Sequence, residues 1–216
     1  MSGLNRSRQS DLFLPGQALS PVTIIGAGGI GSATALVMAK MGADLTVLDF
    51  DEVEEHNLAS QFFASEHVGL PKVEALAREL ESFAGQRPQI RIERYVDQPL
   101  SGMVIAAVDS IDVRRQIWAQ AKMNPAMDLY IDARMGGLVG LVLTARPCDP
   151  DDIKAYEQRL FKSSEAAPEP CTAKAIAFNT FGIAAMVAAT ARRWWLEGER
   201  HPVLTMDFGA LCFLSS

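Results

Sequence analysis

Gly26, Gly28 and Gly31 form a G-x-G-x-x-G array, with Gly29 inside it, and an aspartate, Asp49, follows about twenty residues later. Glycines in such a turn let the backbone close on a phosphate, and the N-terminus of the helix that follows offers unpaired N–H groups and a partial positive charge. An acid at the end of the next strand accepts both hydroxyls of a ribose. These residue types at this spacing specify a nucleotide without distinguishing NAD from ATP. The stretch "DFDEVEEHNLASQFFASEHVGLPK" adds Asp51, Asn57 and Lys72. A dinucleotide needs only neutral contacts to its pyrophosphate, whereas a triphosphate carries about four negative charges and calls for a cation and a metal-binding carboxylate. Lys72, at the head of a helix, and Asp109, at the tip of the strand "MVIAAV", are placed to supply them. Each also has a plain structural reading, Lys72 as a solvated helix residue and Asp109 as a helix N-cap.

The elements that must hold these residues can be read around them. "PVTIIGAGGIGSATALVMAKMGADLTVLDFD" is strand, glycine turn, helix and strand: Thr23 to Ile25 is β-branched, Ala33 to Met41 favours helix, and Leu45 to Leu48 is apolar up to Asp49. Such a βαβ unit packs as a right-handed parallel crossover. "PKVEALARELESF" puts Val73, Leu76, Ala77, Leu80 and Phe83 on one helical stripe, and "IRIERYV" and "MVIAAVDS" predict strands. A helix over about Val113 to Met123 and strands at "LYIDA" and "GLVGLVLTA" follow. The alternation predicts an α/β fold: a Rossmann-like, doubly wound, mostly parallel sheet with helices on both faces. Residues 146–170, charged and proline-bearing, predict a long exposed crossover loop with at most a short helix. From Cys171 the alanine-rich run "TAKAIAFNTFGIAAMVAATARRWW" predicts one long helix, and "HPVLTMDFGALCFLSS" closes the chain as strand-like sequence. The expected organisation is one domain over 1–216, with residues 1–20 as an N-terminal arm.

The 216 residues suffice for one well-buried α/β domain. A net charge of -6 gives no reason to expect nucleic acid or an anionic membrane surface as a partner. Cys148, Cys171 and Cys212 contain no C-x-x-C pair, so neither a disulfide framework nor a thiolate zinc site is expected, and a reducing cytoplasm fits. The N-terminus lacks the apolar core of a signal peptide, and the longest uncharged run, 175–191, is shorter than the roughly 20 residues of a membrane span.

Taken together and in order, the motifs resemble the ThiF/MoeB family, the adenylating fold shared with ubiquitin-activating enzymes. "RQ" at Arg8 and Gln9 followed by "GQAL" resembles its N-terminal arm, "GAGGIGS" its nucleotide loop, "DFDEVEEHNL" its D-x-D-x-V-x-x-x-N-L, and "VGLPK" its V-G-x-P-K. "VDSIDVR" resembles T-D-N-x-x-x-R, and "CTAKAI" resembles the cysteine that opens the long helix in thioester-forming members. The resemblance implies that Asp49 holds the ribose of ATP, that Asn57 and Lys72 contact its phosphates, and that Asp109 holds Mg²⁺. It implies a homodimer in which Arg8 reaches the partner's ATP. The implied substrate is the C-terminal glycine carboxylate of a ubiquitin-like carrier protein, adenylated, passed to Cys171 as a thioester and then to a conjugating enzyme. At the start of a helix, the Cys171 thiolate would be favoured by the helix dipole. Cys148 is the other exposed candidate, and Cys212 reads as a core residue.

Three departures stand out. Ser60 in "NLASQ" replaces an arginine usual in the family, so one positive charge expected near the triphosphate is missing. Arg134 in "DARMGG" is the candidate to compensate, with pairing to Asp132 or Asp109 as its structural alternative. Ser110 stands where the family has asparagine, and the paired C-x-x-C motifs of zinc-bearing members are absent, so no zinc site is expected. Rival readings are a sulfur-carrier adenylyltransferase, an NAD-dependent oxidoreductase, and an adenylation-deficient scaffold that still grips a carrier.

Overall fold

The computed structural model describes residues 5, 7–9, 19–160 and 175–216. The first βαβ unit forms where the apolar pattern predicts it: β1 spans Val22–Ile25, α1 Gly29–Met41 and β2 Leu45–Leu48. Gly42, in the left-handed conformation, stops α1 and returns its N–H to the Met38 and Ala39 carbonyls. The chain continues through α2 (Lys72–Ala84), β3 (Gln89–Arg91), β4 (Gly102–Ala106), α3 (Ile111–Ala121), β5 (Met127–Gly136) and β6 (Val139–Ala145). It ends with α4 (Pro150–Glu157), α5 (Ala177–Glu197), β7 (Val203–Asp207) and β8 (Cys212–Ser215).

Among the described residues, eight strands join one sheet in the order β3-β2-β1-β4-β5-β6-β7-β8. The strands from β3 to β5 are parallel, and β6, β7 and β8 are added antiparallel. The winding reverses between β1 and β4, and sheets of this kind open a ligand crevice beyond the carboxyl ends of the strands at that point. One sheet face is covered by α1, α2 and α5 around Ile24, Val47, Met38, Leu76, Leu80 and Val187. The other is covered by α3 and α4 around Val104, Trp118, Tyr130, Ile153 and Tyr156. Among the described residues no helix is long and apolar enough to cross a membrane.

Several elements differ from expectation. The strand predicted at "IRIERYV" ends at Arg91, and residues 92–101 form no helix before β4. Tyr95 and Leu100 are instead driven into the second core cluster, which takes the chain off the sheet edge. The segment from 146 is not a wholly exposed excursion. Asp149 caps α4 by accepting the Asp151 and Asp152 N–H groups, and Ile153 and Tyr156 are buried against the sheet. The long helix begins at Ala177 after an extended Ile176, six residues beyond Cys171. The start of α5 is thus not at Cys171 as expected, and Cys171 itself lies outside the described residues. Cys212 is exposed on β8 and is not a core residue.

Candidate active site

The glycine loop is shaped by two close approaches. Gly26 ends β1 with φ 98°, a conformation side chains resist, and a Cβ there would stand 2.6 Å from the Ala107 carbonyl oxygen. A Cβ on Gly31 would in turn collide with the Gly26 carbonyl. Gly28 is bare for another reason, because the space its Cβ would occupy meets no atom within 4 Å. Gly28 is also the N-cap of α1, and no side chain caps that helix. The N–H groups of the first turn are thus left for a ligand in the cleared space.

Asp49 flanks that loop from the end of β2. Its Oδ2 accepts the Ala27 N–H at 2.6 Å and its Oδ1 accepts the Asp51 N–H at 2.8 Å. Burial pushes its carboxyl above the usual carboxylate range, and the two N–H donors and the Lys72 ammonium offset this only in part. Each oxygen keeps acceptor capacity for a hydroxyl.

Lys72 reaches the site through backbone pairing. Val53 and Gly69–Leu70 exchange two hydrogen bonds of 2.8 Å, and the Lys72 N–H donates to the Asp51 carbonyl at 2.8 Å. This folds "VGLPK" back onto "DEV" and sets Lys72 Nζ 3.0 Å from Asp51 Oδ2. The Lys72 side chain is only 10% exposed, so it is not a solvated helix residue. Asn57 is buried, and its Oδ1 accepts the Glu54 N–H at 2.9 Å, capping a short 3-10 turn. The side chain thus shapes the loop between Asp51 and Lys72.

Asp109 sits exposed in the loop after β4. The N-cap of α3 is its neighbour Ser110, whose Oγ accepts the Val113 N–H at 3.3 Å, so Asp109 is not spent on capping. Among the described residues no group of three His, Cys, Asp or Glu could hold a metal ion by itself. A single carboxylate still suits Mg²⁺, which takes most of its ligands from phosphates and water.

Arg134 has a structural partner. Its Nε and Nη2 donate to Asp132 Oδ2 at 3.0 and 2.6 Å, and its Nη1 donates to the Arg159 carbonyl at 3.1 Å. Asp132 is fully buried, and its other oxygen is met by Arg114, which also donates to the Val108 and Ala133 carbonyls. The Tyr156 hydroxyl donates to Asp132 Oδ2 at 2.6 Å. Burial opposes ionisation of Asp132 most strongly, yet the two guanidiniums and the hydroxyl outweigh it and hold the carboxyl below its ordinary value. The arginine of "VDSIDVR" is therefore the staple that joins the end of β4 to the middle of β5. Arg8 lies exposed in a 3-10 turn, Ser7–Gln9, and Cys148 is exposed after β6.

Two positioning residues escaped the sequence reading. Ser32, the last letter of "GAGGIGS", accepts the Phe62 N–H at 3.0 Å on its Oγ. Thr180 of α5 places Oγ1 3.1 Å from the Ser60 carbonyl. Together they tie the turn that carries Ser60 to α1 and α5. The polar pair Asn179–Thr180 in the alanine-rich first half of α5 was the available signal at 180.

The model of the ThiF family matches residues 18–207. The chain belongs to the ThiF family. Relatives include the ubiquitin-like modifier-activating enzyme 5 of Drosophila virilis, 44% identical over 75 residues, which are 34% of this chain and 18% of that protein. The enzyme of the same name from Bombyx mori is 36% identical over 75 residues, with the same coverage. Each match thus spans less than a fifth of the curated relative. Among solved structures, E. coli MccB with AMPCPP and MccA has a TM-score of 0.69 at 18% identity, over 99% of this chain and 66% of that one. PaaA has a TM-score of 0.72 at 18% identity, over 91% of this chain and 63% of that one. At these identities the two structures support the ThiF fold alone.

Proposed function

We propose that this ThiF-family chain adenylates the C-terminal carboxylate of a small protein, a glycine carboxylate on a ubiquitin-like carrier. The observation that carries the reading is the juxtaposition of an uncapped helix N-terminus behind open space at Gly28 with the Asp49 carboxylate held on the Ala27 N–H. Ribose on Asp49 and phosphates before α1 make one continuous nucleotide path, to which Lys72 adds a positive charge. Membership of the ThiF family favours ATP over NAD as occupant, and the MccB structures with ATP and AMPCPP are consistent with that choice.

The carrier's carboxylate is ionised and needs no base. It attacks the α-phosphorus, the bond to the bridging oxygen of the β-phosphate breaks, and the products are an acyl-adenylate and pyrophosphate. The chain's part is alignment and neutralisation of charge. The α1 N–H groups orient the phosphates, Asp49 fixes the ribose, and Lys72 exchanges Asp51 for a phosphate oxygen. Asp109 would hold Mg²⁺, which supplies further charge neutralisation when bound. Homodimerisation with Arg8 acting in trans, thioester formation on Cys171 and transfer to a conjugating enzyme belong to the same reading.

One observation favours a second reading. Arg134 is already engaged by Asp132, so the charge absent at Ser60 is not simply restored from there. An adenylation-deficient scaffold that grips a carrier would look the same at this position. Pyrophosphate exchange with Mg-ATP and a ubiquitin-fold protein ending in Gly-Gly separates the two. Adenylation predicts carrier-dependent exchange that falls roughly 10²-fold or more in Lys72→Ala and in Asp109→Asn. Wild-type exchange at background despite carrier binding leaves the scaffold.

A further inference from the structure

The nucleotide path fixes where the base must lie. In a nucleotide the ribose stands between base and phosphates. With phosphates before α1, on the β1 side, and ribose on Asp49 at the end of β2, the base is directed onward, over the ends of β2 and β3. The Asp49 N–H donates to the Arg91 carbonyl at 3.2 Å, so these two strand ends are joined there.

Two side chains occupy that position. Phe50 directly follows Asp49 and is 46% exposed. The Arg94 guanidinium lies over its ring, 3.8 Å from the ring centroid. Arg94 is exposed and forms no ion pair among the described residues, whereas nearby Arg91 is paired with Glu93 at 3.6 Å. Arg94 can lie there because the connection from β3 to β4 contains no helix: Tyr95 plunges into the core and turns the preceding residue outward over the edge. Ile92 and Val96, 53% and 59% exposed, flank the pair with apolar surface.

We infer that the Arg94–Phe50 stack is the platform for the nucleotide's base, an adenine lying flat on the outer face of the guanidinium. A guanidinium plane stacks on a purine as it does on phenylalanine, and the ring beneath holds it level. Arg94 is thus a positioning residue for the base and makes no contact with phosphate. The inference rests on the adenylation reading and adds the residues that hold adenine.

The test is calorimetric titration of the full chain with Mg-ATP and, separately, with inorganic tripolyphosphate, which lacks the base. Arg94→Ala weakens ATP about five- to tenfold and leaves tripolyphosphate unchanged. Arg94→Lys keeps the charge but loses the plane, and behaves like Arg94→Ala. Phe50→Tyr retains ATP affinity, and Phe50→Ala weakens it. Equal loss of both ligands in Arg94→Ala would make the arginine a phosphate contact and overturn the platform, as would unchanged ATP affinity. A wild-type chain that binds tripolyphosphate but no better with adenosine attached also overturns it. If the wild type binds neither ligand, the adenylation reading falls first and takes the platform with it.

Discussion

Two buried aspartates lie along the parallel part of the sheet, Asp49 just past the end of β2 and Asp132 within β5 opposite the last residue of β4, and their surroundings push them in opposite directions. Asp49, at the end of β2, is met by two backbone N–H groups and the field of one lysine, and its carboxyl is raised. Asp132, in β5, is enclosed by Arg114, Arg134 and the Tyr156 hydroxyl, and its carboxyl is lowered. Burial opposes both charges. At Asp132 the partners are sufficient and the acid is a fastener; at Asp49 they fall short, and its carboxyl stays above the ordinary value.

The largest effect expected from this contrast is at the fastener. Asp132→Ala leaves two guanidiniums without their shared counter-ion and should cost about 3–5 kcal/mol, read as a lower denaturant midpoint. A loss below about 1 kcal/mol would mean that the backbone carbonyls suffice for Arg114 and Arg134.

The next effect is one of sign. Asp132, with its folded pKa below the ordinary value of 3.8, contributes stability above that value and loses it as pH falls through the folded pKa. Asp49, raised above 3.8, favours the folded state below that value and loses the contribution as pH rises through its folded pKa. Asp49→Asn should therefore raise stability at neutral pH, with a gain that shrinks toward about pH 3, while weakening nucleotide binding. Thermal melts over that range check it, and a gain that grows on acidification would contradict the raised carboxyl.

The smallest effect is at the surface. The exposed pair Lys122–Glu157, at 2.6 Å, links α3 to α4 beside the same cluster. Lys122→Ala should change stability by no more than about 1 kcal/mol and lose even that in high salt.

Which of these features could be read in the sequence follows from their range. The first βαβ unit, the glycine loop, Asp49 and the head of α2 at Lys72 are local patterns, and the structure reproduces them nearly residue for residue. Partners distant along the chain were not legible. Nothing within a few residues of Tyr156 announces that its hydroxyl ends on Asp132, so the segment that carries α4 read as exposed, with at most a short helix. Likewise Arg134 could be proposed for the site or for a pair with Asp132, and only the fold decides which group it meets. The shortened β3 was missed because "IRIERYV" alternates well enough for a strand, while the burial of Tyr95 overrides that pattern. Cys212 looked like core from its apolar neighbours, but β8 ends the sheet, where burial is lost.

The contact between α5 and the glycine loop carries a consequence for how such sequences can change. A Cβ on Gly29 would stand 2.8 Å from the Thr180 methyl, whose hydroxyl reaches the Ser60 carbonyl. The two positions are more than a hundred residues apart in the chain, yet they share one small volume. Through evolutionary drift, then, 29 and 180 are not two independent choices: a side chain at 29 meets the Thr180 methyl and needs space yielded there.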